Sequence, residues 1–217
     1  DHGLVRKRLA CLKNLGVEFV YDTRVGNGVG VDALFSSGFE AVFLGTGAGR
    51  PSLPGIEGEE LRGVHTSTSF LVRANVEQNF RPSELEDPPV VGRRVAVLGG
   101  GDTAMDCCRT ALRLGAEEVT CLYRRTESEM PGNPRDRAFA REEGVDFQWL
   151  VAPARILGDP MGKVRAIELE RVTLGDPDES GRPRPEPLPG SSFQLPVDTI
   201  VLALGFEADP SLPQETK

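Results

Sequence analysis

The run VAVLGGGDTAMD, Val95 to Asp106, constrains this chain more than any other stretch, because a short apolar strand breaks into glycines and passes directly into an amphipathic helix. Gly99, Gly101 and Ala104 fill the three small positions of a G-x-G-x-x-G/A turn: a tight bend, a close backbone approach to a ligand, and helix packed on strand. The helix start offers unpaired N–H groups and a partial positive charge. The stretch therefore reads as a dinucleotide pyrophosphate site on a Rossmann-like α/β unit.

The flanking residues agree with that reading. Over Asp102 to Leu114, Ala104, Cys108, Ala111 and Leu112 fall on one helix face, and Asp102, Asp106, Arg109 and Arg113 on the other. Gly115 is a C-terminal stop. A second strand, Val119 to Tyr123, ends in Arg124 and Arg125. The second strand of such a unit carries the group that meets the adenosine ribose, where an acid suits a free 2′-hydroxyl and a guanidinium suits a 2′-phosphate. The two arginines favour NADPH over NADH.

With 217 residues the chain has room for one or two domains. Its 25 basic and 33 acidic residues leave a net charge of −8, which argues against nucleic acid or anionic membrane as partner. Apolar runs such as AVFLGTGAG and TIVLALGF are too short to span a membrane, no leader pattern is visible, and a cytoplasmic location is expected. Cys11, Cys107, Cys108 and Cys121 include no C-x-x-C spacing and have no nearby histidine, so no metal site is expected. Cys108 and Cys121 read as small core residues.

Two segments of the chain echo each other in order. Leu15–Thr23 parallels Glu143–Val151, and Phe39–Gly47 parallels Val197–Gly205, with about 30 extra residues in the later copy. Those extra residues hold three β-rich pieces, VAPARILGD, KVRAIELERVTLG and SSFQLPVD, expected to form an antiparallel meander. The Pro- and charge-rich GDPDESGRPRPEPLPGSS between them reads as an exposed hairpin loop with no chemistry of its own. By the same echo, the glycine turn of the first copy would lie ahead of residue 1, so the first domain is expected to be cut. Its remnant should comprise a helix at Leu4–Leu15, a strand at Val17–Tyr21, a helix or turn at Val31–Ser36 and a strand at Ala41–Leu44. The expected organisation is a partial FAD-type dinucleotide domain over 1–60 and a linker with a short helix, Ser69–Asn79, over 61–92. An NADPH domain over 93–205 and a truncated return into the first domain over 206–217 complete it.

On these residues the chain resembles the small (beta) subunit of NADPH-dependent glutamate synthase and the wider class of two-dinucleotide-domain flavin oxidoreductases. The resemblance rests on Gly45–Gly58, Val95–Arg125, Glu129–Phe147 and Ile200–Asp209. It implies an FAD domain interrupted by an NADPH domain, hydride passing from nicotinamide to flavin, and electrons leaving through iron–sulfur clusters to a large glutamate-forming subunit. By position, Gly99, Gly100, Gly101, Asp102, Thr103 and Ala104 would cradle the pyrophosphate, and Arg124 and Arg125 would hold the 2′-phosphate. Gly205 would let backbone approach the nucleotide, and Gly45 and Gly47 would lie on the FAD side. FAD and clusters are expected in the whole protein and not in this piece.

No catalytic side chain is assigned, because hydride transfer between cofactors needs alignment more than an acid or base. His2, His65 and Trp149 read as structural. Asp102 would repel phosphate, which leaves a hydrogen bond to a loop or ribose. The Met130–Gly132 loop reads equally as a plain turn or as the mouth of the NADPH site. Two other functions fit the same residues: the NADPH domain of a pyrimidine-reducing or ferredoxin-linked reductase, and a non-enzymatic nucleotide sensor.

Overall fold

A computed structural model describes residues 2–23, 25–26, 29–76, 81, 85, 87–179 and 181–208. The chain divides into a large unit, Arg50–Glu207, and a second unit that includes residues 2–49.

The second unit contains α1 (His2–Asn14) and α2 (Val31–Ser36), where helix and turn were expected. The expected strands Val17–Tyr21 and Ala41–Leu44 do not form. A strand needs a neighbour to take up its backbone groups, and no described residue pairs with either segment. Their apolar side chains stay outside, with Val20 71% and Phe43 94% exposed.

The large unit begins with β1 (Arg50–Pro51), β2 (Val64–Thr66) and α3 (Ser67–Asn75). Next come β3 (Arg94–Leu98), α4 (Asp102–Arg113), β4 (Glu118–Tyr123), α5 (Pro134–Glu142) and β5 (Asp146–Trp149). The meander β6 (Val151–Gly158), β7 (Val164–Pro177), β8 (Pro183–Pro187) and β9 (Phe193–Pro196) leads to β10 (Thr199–Leu202) and β11 (Phe206–Glu207). A parallel sheet runs β2-β10-β3-β4-β5. Arg94 and Asp198, 3.0 Å apart, pin the starts of β3 and β10 together.

Both faces of this sheet are covered, which is why β3 is an unbroken apolar run. Val95 and Val97 face a cluster with Phe70, Met105, Cys108 and Ala111 from the helices. Ala96 and Leu98 face the meander through Ile156, Ile167 and Leu169. Of the α4 face expected to be apolar, Ala104, Cys108 and Ala111 are buried and Leu112 is half-buried, and Met105 and Cys107 widen it. Burial pushes the Cys107 thiol up to about 12, so it stays protonated and inert.

Three expectations change here. The Pro- and charge-rich segment is not a free loop, because it supplies β8, an edge strand on β7. Prolines at alternate positions 183, 185 and 187 are tolerated because residues two apart point the same way. Leu188 N–H donates to Arg171 O at 2.9 Å, which turns the proline nitrogens to the outer edge.

The stretch assigned to a linker also joins the fold, as β2 pairs in parallel with β10 and α3 packs on α4. Helix α3 ends at Asn75, and residues 77–79 of the expected helix lie outside the described residues.

Residues 50–60, expected with the first domain, belong to the large unit: Ile156 N–H donates to Glu57 O at 2.8 Å, and β1 pairs with β11. Of the expected return segment 206–217, residues 209–217 lie outside the described residues.

Candidate functional site

Strand order β5-β4-β3-β10 places the reversal of the sheet between β3 and β10, where open α/β sheets bind ligands beyond the carboxyl ends of their strands. A cavity of about 650 Å³ opens at that point. Its wall brings together the glycine turn, Thr103, Arg124, Arg125 and Gly205, which are far apart in sequence.

The three consecutive glycines are required for different reasons. At Gly99, with φ +142°, an added Cβ would stand 2.1 Å from the Ala203 carbonyl oxygen. At Gly100 it would stand 2.5 Å from the Tyr123 ring. At Gly101, which begins α4 without a capping side chain, it would meet no protein atom within 4 Å. Thus Gly99 and Gly100 serve the packing of the turn, whereas Gly101 leaves room for a ligand. Ala104 and Met105 donate to Gly101 O, leaving the Asp102 and Thr103 N–H groups without a backbone acceptor among the described residues. These free donors beside open space fit an anionic, phosphate-bearing ligand. Ala104 is fully buried under the turn, in the helix-packing role expected of it. Gly205, at φ +102°, likewise borders the cavity with space around its Cα.

Asp102 is turned aside from the cavity. Its Oδ1 accepts the Asn133 N–H at 2.5 Å, the loop contact allowed by its place in the first helical turn. Gly132 N–H donates to Gly100 O at 3.2 Å, and Pro131 lines the cavity. The loop at residues 130–133 is therefore a wall of the site as well as a turn into α5. The Cys121 thiol donates to Gly99 O at 3.2 Å and fixes the turn from beneath.

The two arginines separate. Arg124 is exposed and has no ion pair among the described residues. Arg125 is 2% exposed, bonded through Nη2 to Asp178 at 2.9 Å and through Nε to the Pro183 carbonyl. Its charge is balanced by Asp178, so the joint role expected for the pair is not the arrangement found. Gly45 and Gly47 fall in the second unit, in a segment without regular secondary structure, with Gly47 at φ +67°.

Sequence reasoning missed Tyr123 and Arg182. Arg182 Nη2 donates to Tyr123 Oη at 2.8 Å and to the Glu129 carbonyl at 3.0 Å, and both side chains line the cavity. Only an aromatic ending the second strand and an arginine amid prolines marked them in the sequence.

Sheet order, glycine turn and cavity together define a Rossmann-like α/β fold of the dinucleotide-binding kind. Residues 9–217 match the family described as Pyridine nucleotide-disulphide oxidoreductase, and the chain belongs to that family. It is 43% identical over 210 residues to the glutamate synthase (NADPH) small chain of Halomonas elongata, covering 96% of this chain and 44% of that protein. The Escherichia coli K12 glutamate synthase (NADPH) small chain is 43% identical over 206 residues, covering 94% and 43% respectively. The NADPH-Fe(3+) oxidoreductase subunit beta of Geobacter sulfurreducens is 40% identical over 208 residues, covering 96% and 30%. The chain thus spans less than half the length of these relatives. In fold it is similar to the structure of Mycobacterium tuberculosis FprA in complex with NADPH, with TM-score 0.70 and 23% identity over 88% of this chain and 55% of that one. No helix among the described residues is long and apolar enough to cross a membrane.

Proposed function

We propose that this chain is the NADPH-binding portion of a glutamate synthase small-subunit-like flavin oxidoreductase. In the longer protein, hydride passes from NADPH to FAD, and electrons move on through iron–sulfur clusters to a glutamate-forming large subunit. The observation that carries this reading is the open space at Gly101 beside two helix N–H groups that have no acceptor among the described residues, in a cavity that Arg124 also lines. The relatives named as NADPH enzymes support it at 40–43% identity.

The bound nicotinamide supplies the hydride, and this chain's residues bind and orient it. The Asp102 and Thr103 N–H groups would hold the pyrophosphate, the Gly205 turn would let the dinucleotide lie close to backbone, and Leu204 and Pro131 would add apolar surface to the cavity wall. A second reading, a reductase serving another acceptor, is favoured by the Geobacter relative, whose name gives Fe(3+) as acceptor. The destination of electrons then depends on parts of the protein beyond this site.

Trp149, the single tryptophan, lies edge-on to Tyr123 at 6.4 Å between ring centroids and so reports on the cavity. Titration of the chain with NADPH and NADH, read by energy transfer from Trp149, should show NADPH bound at least about tenfold tighter. Equal affinities would overturn the NADPH assignment. In the full-length protein, anaerobic mixing with NADPH should bleach the flavin; an unchanged flavin spectrum would overturn the hydride step.

A further inference from the structure

Resting on the reading of the cavity as an NADPH site, the geometry points to Arg182, on the β7–β8 hairpin, as the specificity-determining residue that holds the adenosine 2′-phosphate together with Arg124. Arg125 then acts as a positioning residue that fixes the hairpin.

Three guanidinium groups line one cavity, and among the described residues only that of Arg125 has an ion-pair partner. Arg182 is half-buried and donates to a phenol oxygen and a backbone carbonyl, neither of which carries charge. Among the described residues no carboxylate bonds the Arg182 guanidinium, although Asp178 Oδ1 accepts the Arg182 backbone N–H at 3.2 Å. Asp178 serves Arg125, the Glu129 carboxylate is held by Thr126 and Ser128, and Glu127 serves Arg137 and Arg141. The hydrogen bonds to Glu129 pull its carboxyl below the ordinary range, Thr126 contributing most.

A partly buried cation without a carboxylate is costly unless an anion arrives. The half-buried Arg182 and the exposed Arg124 line the same cavity as the turn at the N-terminus of α4, and together they match a ligand with separated phosphates: a pyrophosphate at the helix and a monophosphate at the arginines. The fork of Arg182 is held in place by Tyr123 Oη and Glu129 O, so little side-chain freedom remains to be lost on binding.

The hairpin's origin fits this role. It belongs to the extra residues of the second copy of the sequence echo, which the first copy lacks. Asp178 and the Pro183 carbonyl both bond Arg125, anchoring the hairpin on either side of Arg182.

The test measures the ratio of NADPH to NADH affinity in the unmutated chain and in Arg182→Met, Arg124→Met and Arg125→Met, with melting curves for each. Arg182→Met and Arg124→Met should each lower the ratio about tenfold or more, while Arg182→Lys should restore part of it. Arg125→Met should lower the melting temperature more than Arg182→Met does. A preference for NADPH that survives Arg182→Met would overturn this proposal and leave the NADPH reading standing. An unmutated chain without preference would overturn the NADPH reading itself. Should Arg182→Met not fold, hydrogen exchange on the unmutated chain decides: 2′,5′-ADP should protect the amides of Gly181, Arg182, Arg184 and Glu186 and 5′-ADP should not. Equal protection by both would overturn the role of Arg182.

Discussion

The guanidinium of Arg125 lies 2.9 Å from the carboxylate of Asp178 across 53 residues of sequence, and it is the most deeply buried charge in the described structure. The pair ties the end of β4 to a hairpin that sequence patterning marks only as a loop. Removing one partner leaves the other charge uncompensated, which costs more than removing both.

Asp178→Ala should therefore destabilise the chain by about 2–3 kcal/mol, at the low end for such deletions because the Asp178 side chain is 30% exposed. The double variant Arg125→Met with Asp178→Ala should recover part of that loss. Urea unfolding of the two variants checks the order, and equal stabilities would show that the buried charge is not held by Asp178.

The glycine turn should separate stability from binding. Gly99→Ala places a Cβ against the Ala203 carbonyl and should cost about 2 kcal/mol or more. Gly101→Ala should cost under about 1 kcal/mol but weaken NADPH about tenfold, because the methyl takes ligand space. Thermal melting alongside NADPH titration distinguishes the two.

Asp102 should act on the loop at residues 130–133 through its bond to Asn133 N–H. In Asp102→Ala the Asn133 amide should lose its exchange protection, whereas Asp102→Asn, which keeps an acceptor oxygen, should retain much of it. Amide exchange followed by NMR reads this directly.

His65 should make stability pH-dependent. Burial lowers its pKa below 6.5, the Arg73 charge adds to the effect, and Nε2 has no hydrogen-bond partner among the described residues. Above 6.5 both folded and unfolded imidazoles are neutral and no penalty arises. As pH falls through 6.5 the unfolded chain takes up the proton first, so stability drops until the lower folded pKa is reached, with a slope of at most about 1.4 kcal/mol per pH unit. His65→Gln should flatten the pH dependence of the unfolding free energy below pH 6.5, measured by denaturant titration. An unchanged slope would sink the assignment.

The parts of the fold readable in sequence were those with local signatures. The glycine turn, the α4 periodicity, strand β4 and three strands of the meander all follow from small residues, 3.6-residue spacing or β-rich runs. Strand β8 was missed because its prolines argue locally against a ladder and are admissible only at an outer edge. Val17–Tyr21 and Ala41–Leu44 failed in the opposite sense, since β-rich composition makes no strand without a partner.

By itself, the sequence determined the glycine turn that leads into α4, for Gly99 and Gly100 are demanded by sterics and a small, buried Ala104 follows within a few residues. It also determined that basic side chains stand at the end of the second strand. Only the tertiary structure decided which arginines keep their charge available, because that depends on Asp178, Tyr123 and Glu129 being brought against them. Electrostatic pairing acts through space over a few ångströms, and no local pattern in the chain records it.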